Sequence, residues 1–261
     1  MPLFQKGLGG EKILIALQFL TIFPVKIKSI KEEEFGKSLL YFPIVGALIG
    51  IVLALALFVL DFLPNLIKCS LILIISIVIS GGIHLEGFSD TCDGLYGGRC
   101  KEEILDIMRD SHIGAIGAIG LVCILLLKLS LFLSIPKEIL WRSLILMCLF
   151  SRWVQVLVCY ISKYARKEGK AKYFIEYASR KEFLISSLFT LAAFLFLLKI
   201  EGIVLFFISL LPIWVFITYV KKKIDGVTGD TIGATSEIAE VSILFFIISL
   251  RYVHINFFLP S

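Results

Sequence analysis

An all-α, polytopic integral membrane fold is predicted by three features of this sequence. Of its 261 residues 58% are hydrophobic and only 18% charged, and the mean hydropathy of +0.95 lies far outside the range of a soluble domain. The apolar residues fall in runs close to the roughly 20 residues a helix needs to cross a bilayer. Most Lys and Arg residues lie in the segments between those runs, as in membrane proteins rather than nucleic-acid binders. We therefore expect about seven transmembrane helices plus short re-entrant or interfacial helices. No internal repeat or low-complexity linker divides the chain, so 1–261 reads as one polytopic membrane domain.

Residues 11–25 (EKILIALQFLTIFPV) are apolar but too short to span, and read as a re-entrant or interfacial helix ended by Pro24. A charged loop, KIKSIKEEEFGKS, follows it; because no small-residue cleavage site is present, no cleavable signal peptide is expected. Spanning helices are expected over 38–60, 66–83, 113–134, 140–162, 183–199, 202–220 and 238–258. The fifth and sixth would join as a tight hairpin around Lys199, Glu201 and Gly202. After Gly98, the run KEEILDIMRDSHIGAIG reads as a short amphipathic helix with Ile104, Leu105, Ile107 and Met108 on its apolar side. Glycines 114, 117 and 120 have the small-residue spacing that lets membrane helices pack closely. Cysteines 69, 92, 100, 123, 148 and 159 mostly fall in apolar runs without paired spacing and read as small buried residues, not a disulfide framework.

Positive charge sets the expected orientation. With the N-terminus inside, the cytoplasmic segments 1–37, 84–112, 163–182 and 221–237 hold 19 of the 26 Lys and Arg residues. The remaining seven, Lys68, Lys128, Lys137, Arg142, Arg152, Lys199 and Arg251, are scattered over outer ends and helix interiors. The expectation is a multi-pass protein of the cell (inner) membrane, in contact with lipid, with its N-terminus and polar loops cytoplasmic. No nucleic-acid partner is implied, and assembly into a homo-oligomer is left open.

The polar segments are also where chemistry concentrates. In GGIHLEGFSDTCDGLYGG (81–98), Glu86, Asp90 and Asp93 stand at i, i+4 and i+7, which on a helix places three carboxylates on one stripe beside an apolar run. Negative charge collected there calls for a cation, and Mg²⁺, held by carboxylates plus substrate phosphates, is the simplest answer. The competing reading makes Asp90 or Asp93 a helix cap. His84, Cys92 and Cys100 match no common zinc spacing. His84 reads either as a hydrogen-bonded interior histidine or as a substrate contact.

A second acidic cluster, GDTIGATSEIAE (229–240), carries Asp230, Glu237 and Glu240 at the entrance to the last span. Stabilisation by the helix dipole is one reading; a metal and phosphate site shared with the first cluster is the reading we prefer. Arg109 beside Asp110 could bind phosphate or form a surface ion pair. Arg152, in the fourth span next to Ser151, should face an interior partner. The stretch KYARKEGKAK, with Arg166 at its centre, could attract anionic lipid or a phosphorylated substrate.

GGIHLEGFSDTCDGLYGG followed by LDIMRDSHIGAIG strongly resembles the signature of the cobalamin synthase family of ribazoletransferases. FLTIFPV, YFPIVGALIG, SRW (151–153), YARKEG (164–169) and GDTIGATSE (229–237) resemble that family in the same order, so the resemblance covers almost the whole chain. One departure is visible: the family usually carries Asp where this chain has Glu86. The resemblance implies the last step of nucleotide-loop assembly. In that step a hydroxyl of α-ribazole or its 5′-phosphate attacks the cobinamide-linked phosphate of adenosylcobinamide-GDP and expels GMP, with Mg²⁺ required. On this expectation Glu86, Asp90, Asp93 and Glu240 hold metal, and Asp93, Asp230 and Glu237 are catalytic. His84, Arg109, Asp110, Arg152 and Arg166 contact substrate. Two other classes remain. A lipid phosphotransferase using a CDP-linked donor is disfavoured because Asp93-Gly94 is followed by Leu95-Tyr96 rather than Ala-Arg. A cation-coupled transporter is disfavoured because both acidic clusters sit at helix ends and no inverted repeat is evident.

Overall fold

The computed structural model describes residues 10–25 and 31–258, so the part of the charged loop at 26–30 lies outside the described residues. In order the helices are α1 (Gly10–Leu20), α2 (Glu32–Ser38), α3 (Phe42–Val59), α4 (Asn65–Ser80), α5 (Ile83–Gly97), α6 (Lys101–Ile107), α7 (Ala115–Ser134), α8 (Lys137–Ile161), α9 (Ala171–Glu176), α10 (Arg180–Ile224) and α11 (Gly229–Phe258), with a 3₁₀ turn at Leu39–Tyr41 joining α2 to α3. Apart from a single bridge between Tyr164 and Val227, the described residues pair no extended backbone.

The all-α membrane architecture is as the sequence predicts, while helix length and composition do not fix the count of crossings at the expected seven. Among the described residues five helical segments are long and apolar enough to span: Glu32–Val59, Ala115–Ser134, Lys137–Ile161, Arg180–Ile224 and Gly229–Arg251. A sixth arises if α4 and α5 form one span broken by an 89° bend. The two spans expected at 183–199 and 202–220 lie within the 45-residue α10, in which Lys199 leaves helical geometry (φ 56°, ψ −143°). The rings of Phe194 and Phe206 pack 5.4 Å apart. An unbroken helix would separate those positions by about 18 Å, so α10 doubles back on itself at Lys199.

α8 is the buried centre of the molecule. It packs most extensively on α3 and α11, and its core-facing residues, among them Leu144, Phe150, Val154 and Val158, are inaccessible. Helices α7 and α10 are covered far less, with Leu188, Phe196, Trp214 and Leu126 outward, as suits helix faces meant for lipid. α1 is too short to cross and buries Ile15, Ala16 and Leu20; it ends four residues before Pro24. Its final turn is closed by Thr21, whose hydroxyl donates to the Leu17 carbonyl. α6 forms where the amphipathic pattern lies and buries Ile104 and Met108 against Gly94 and Gly98 of the α5 C-terminus. The cysteines are all free; Cys100 and Cys123 are exposed, against the expectation of burial, because Cys100 stands in the turn before α6 and Cys123 on an outward face of α7.

Two local devices bring the polar segments together. Gly81 and Gly82 both adopt left-handed backbone angles (φ 64° and 70°), terminating α4 and sending α5 off at 89°; a side chain there would be strained. α5 then crosses α11 at very short range. A Cβ added to Gly87 would lie 2.8 Å from the Asp230 carbonyl oxygen, and one added to Gly233 would lie 3.3 Å from the His84 backbone. Glycine at these two crossing points sets the distance between the two acidic segments.

Candidate active site

A cavity of about 320 Å³ lies at this crossing. Its polar lining comes from Glu86, Asp90 and His84 of α5, Gln155 of α8, Tyr164, Arg166 and Lys170 of the connection between α8 and α9, and Asp230 of α11. Phe19, Phe42 and Phe174 are its aromatic apolar lining.

The position of Arg166 follows from local backbone pairing. Ala165 N donates to the Val227 carbonyl and Val227 N to the Lys163 carbonyl, each at 2.9 Å, which straps the 162–170 connection to the residues before α11. Thr228 and Thr231 cap that helix reciprocally: Thr228 N donates to Thr231 Oγ1 at 2.8 Å and Thr231 N to Thr228 Oγ1 at 3.2 Å. Asp230 therefore begins the helix in a fixed place. Arg166 Nη2 lies 2.9 Å from its Oδ2, to which Thr228 Oγ1 also donates at 3.3 Å. Arg166 Nε is buried without a hydrogen-bond partner among the described residues, an arrangement that favours an additional acceptor. Burial raises the hydroxyl pKa of Tyr164 above its ordinary value, with the charge of Arg166 opposing the shift.

The first acidic stripe divides. Glu86 and Asp90 face the cavity, and neither has a hydrogen-bond or ion-pair partner among the described residues. Asp93 does not line the cavity. Its Oδ2 accepts from Gly114 N and its Oδ1 from Gly117 N, both at 2.8 Å, so it caps the N-terminus of α7. Rise rather than rotation explains the split: at i+7 Asp93 returns to nearly the same helix face as Glu86 but about 10 Å further along the axis, where it meets α7, with Gly117 and Gly120 admitting α5.

The second cluster divides as well. Only Asp230 reaches the cavity. Glu237 and Glu240 lie about 10 and 15 Å further along the helix axis, within 4–5% exposure, where they meet Lys128 of α7 and Arg152 of α8. Lys128 Nζ donates to Glu237 and, at 2.6 Å, to Glu240 Oε2. Arg152 Nη1 donates to Glu240 and, at 2.7 Å, to Ser151 Oγ. Two acids and two bases balance in the apolar interior, as buried charges must. Arg152 thus faces an interior partner rather than the cavity. Lys128, in sequence one of the scattered cations, carries a single signal of this role, its place inside an apolar span.

The other expected contacts are dispersed. His84 lines the cavity at 4% exposure, with Gln155 Nε2 3.2 Å from its Nε2. Asp110 is exposed and engages His112, accepting from its backbone N at 3.0 Å. Arg109 is exposed, and its charge reaches Tyr164. In the basic stretch Lys163 pairs with Asp225 at 2.8 Å, Lys172 lies 3.6 Å from Glu176, and Lys170 lines the cavity. Gln155, Tyr164 and Lys170 were not singled out as site residues. Of these only Lys170 carried a signal, the basic loop itself.

No three His, Cys, Asp or Glu side chains among the described residues converge into a closed metal site. Two carboxylates without partners facing a cavity beside a third nonetheless fit a hard cation that completes its shell with water and phosphate oxygens.

Fold and cavity together define a class: an all-helical, multi-pass membrane protein whose polar cavity sets carboxylates opposite Arg and Lys, a composition suited to a phosphorylated substrate. The chain belongs to the cobalamin-5-phosphate synthase family, whose model matches residues 12–248. Similar proteins include an adenosylcobinamide-GDP ribazoletransferase of Alkaliphilus metalliredigens, 40% identical over 91% of this chain and 95% of the relative. Those of Desulfitobacterium hafniense (36% identical, 93% and 98% covered) and Clostridium novyi (32%, 92% and 98%) carry the same name. No solved structure matches the chain.

Proposed function

We propose that this chain is an adenosylcobinamide-GDP ribazoletransferase that completes the nucleotide loop of cobalamin. A hydroxyl oxygen of α-ribazole, or of its 5′-phosphate, forms a bond to the phosphorus attached to cobinamide. The bond from that phosphorus to the diphosphate bridging oxygen breaks, and GMP leaves with that oxygen. Family membership supports the substrate pair. The observation that carries the reading is the meeting of Glu86, Asp90 and Asp230 with Arg166 and Lys170 in one cavity.

The residues divide the work by position. Arg166, with Nε unpartnered among the described residues and Nη2 against Asp230, and Lys170 hold the diphosphate. Asp230, on the cavity side of α11, takes the proton from the attacking hydroxyl. Glu86 and Asp90 would hold Mg²⁺ with phosphate oxygens, and the bound ion supplies charge neutralisation on the diphosphate. Asp93 and the pair Glu237 and Glu240 serve this site indirectly, by fixing α7 and the interior of α11. The cavity opens to the cytoplasmic side of the cell membrane, a reading supported by the 19 of 26 basic residues on that side.

GMP release by the purified protein in detergent or liposomes, given adenosylcobinamide-GDP and α-ribazole with and without Mg²⁺, tests the reading. Release that requires both substrates and the ion, and that in folded Asp90→Asn needs about tenfold or more Mg²⁺, is the expected result. A folded wild-type protein that releases no GMP overturns the substrate assignment; release at full rate in chelator overturns the metal role alone.

A further inference from the structure

The chemistry proposed above uses the charged lining of the cavity and leaves its aromatic lining unexplained. That lining includes Phe19, Phe42 and Phe174, whose rings cluster with centroids 4.5 Å (Phe19 to Phe174) and 5.4 Å (Phe42 to Phe174) apart. Gln155, only 1% exposed, lines the same cavity. Its Nε2 is engaged with His84 at 3.2 Å, while its Oε1 is buried with no hydrogen-bond partner among the described residues. With the amide placed to donate, the imidazole accepts at Nε2 and carries its proton on Nδ1. A buried amide oxygen left unmatched beside a cavity is costly unless a ligand completes it.

Size narrows the ligand. About 320 Å³ stands at the lower end of cavities that enclose a drug-sized molecule, which admits one nucleoside but not a corrin macrocycle. In-line displacement puts the attacking and leaving groups on opposite sides of phosphorus, so only one of the two nucleosides can occupy this side. Guanine would bring a carbonyl, ring nitrogens and an amino group against three phenylalanines, and each buried polar group left unpaired is penalised. The base of α-ribazole is a methylated benzimidazole, largely apolar, and the donors of that nucleoside are its ribose hydroxyls.

We infer that the phenylalanine-lined part of the cavity binds the acceptor nucleoside, with its flat base against the cluster of Phe19, Phe42 and Phe174 and one ribose hydroxyl donating to Gln155 Oε1. This rests on the ribazoletransferase reading of the same cavity. Gln155 is then a specificity residue for the acceptor, and His84 a positioning residue acting through it. The corrinoid substrate reaches the carboxylates from outside the cavity.

The test is equilibrium binding of α-ribazole alone to the purified protein, by calorimetry, together with KM for each substrate. Gln155→Leu and Gln155→Met both keep the volume and remove the acceptor, and a thermal unfolding scan checks that at least one is folded. Either variant should weaken α-ribazole binding about tenfold, equal to about 1.4 kcal/mol, and raise its KM correspondingly, with the KM for adenosylcobinamide-GDP unchanged. Unaltered α-ribazole affinity in the folded variants overturns the inference, as does a loss that falls on adenosylcobinamide-GDP instead. If the wild type releases GMP in either of those cases, the transferase reading stands and only the subsite fails; if it neither releases GMP nor binds α-ribazole, both fail.

Discussion

Asp93 offers the sharpest test of how the acidic stripe is used, because its spacing suggests a metal ligand whereas its geometry makes it a helix cap. Both of its oxygens accept backbone N–H groups of α7, from Gly114 and Gly117, at 2.8 Å. Asp93→Ala removes both acceptors and the negative charge at a helix N-terminus. Loss of a capping side chain costs about 1 kcal/mol, in a range of roughly 0.5–2, and a charge-assisted bond to a half-buried N–H lies nearer the upper figure. We therefore expect a loss of about 2 kcal/mol. At roughly 2–4 °C per kcal/mol for a chain of this size, the apparent midpoint of thermal unfolding in detergent should fall by about 4–8 °C. Asp93→Asn, which keeps one acceptor oxygen, should fall by about half as much. Asp90→Asn, which removes a carboxylate with no partner among the described residues, should leave the midpoint within about 1 °C. The assay is a thermal scan of the three purified variants, followed by GMP release titrated with Mg²⁺ well below every midpoint. Asp93→Asn should retain the wild-type Mg²⁺ dependence while Asp90→Asn shifts it upward about tenfold or more. An unchanged midpoint for Asp93→Ala, joined to a shifted Mg²⁺ dependence, would refute the capping argument and return Asp93 to the metal.

Lys128→Met leaves Glu237 and Glu240 short of a buried countercharge, which should cost about 3–5 kcal/mol and show as loss of the monodisperse peak in detergent chromatography; adding Glu237→Gln should recover much of it, and failure to recover would mean the pairing is not what the lysine supplies. Gly87→Ala puts a methyl group 2.8 Å from the Asp230 carbonyl oxygen, so α5 and α11 must separate; GMP release should drop at least about tenfold, and unchanged turnover would show that the crossing distance is not critical. Arg166→Gln should raise the KM for adenosylcobinamide-GDP about tenfold or more through loss of a charged phosphate contact, and a change in turnover alone would point to a different role. Cys100 is exposed next to α6, so a membrane-impermeant maleimide should label it in inverted vesicles and not in intact cells; the opposite pattern would reverse the orientation.

The composition and the periodic polar breaks were enough to determine an all-helical membrane protein, because apolar runs near the bilayer thickness have few other stable solutions. The order of the motifs carried the family, and the turn at Lys199 and the packing glycines of α7 were legible as well. Which carboxylates share a site was not, since that depends on rotation and rise in three dimensions. Asp93 lies one helical turn from Asp90 yet caps α7, and Glu237 lies two turns below Asp230 yet closes an ion network with Lys128 from a helix more than a hundred residues earlier. Gln155 carried no signal at all in sequence; a single amide in an apolar helix acquires meaning only when α1, α3 and α9 wall a cavity around it. Local spacing determines which residues can share a helix face, whereas the angle set at Gly81 and Gly82 and the crossing at Gly87 and Gly233 decide which faces meet.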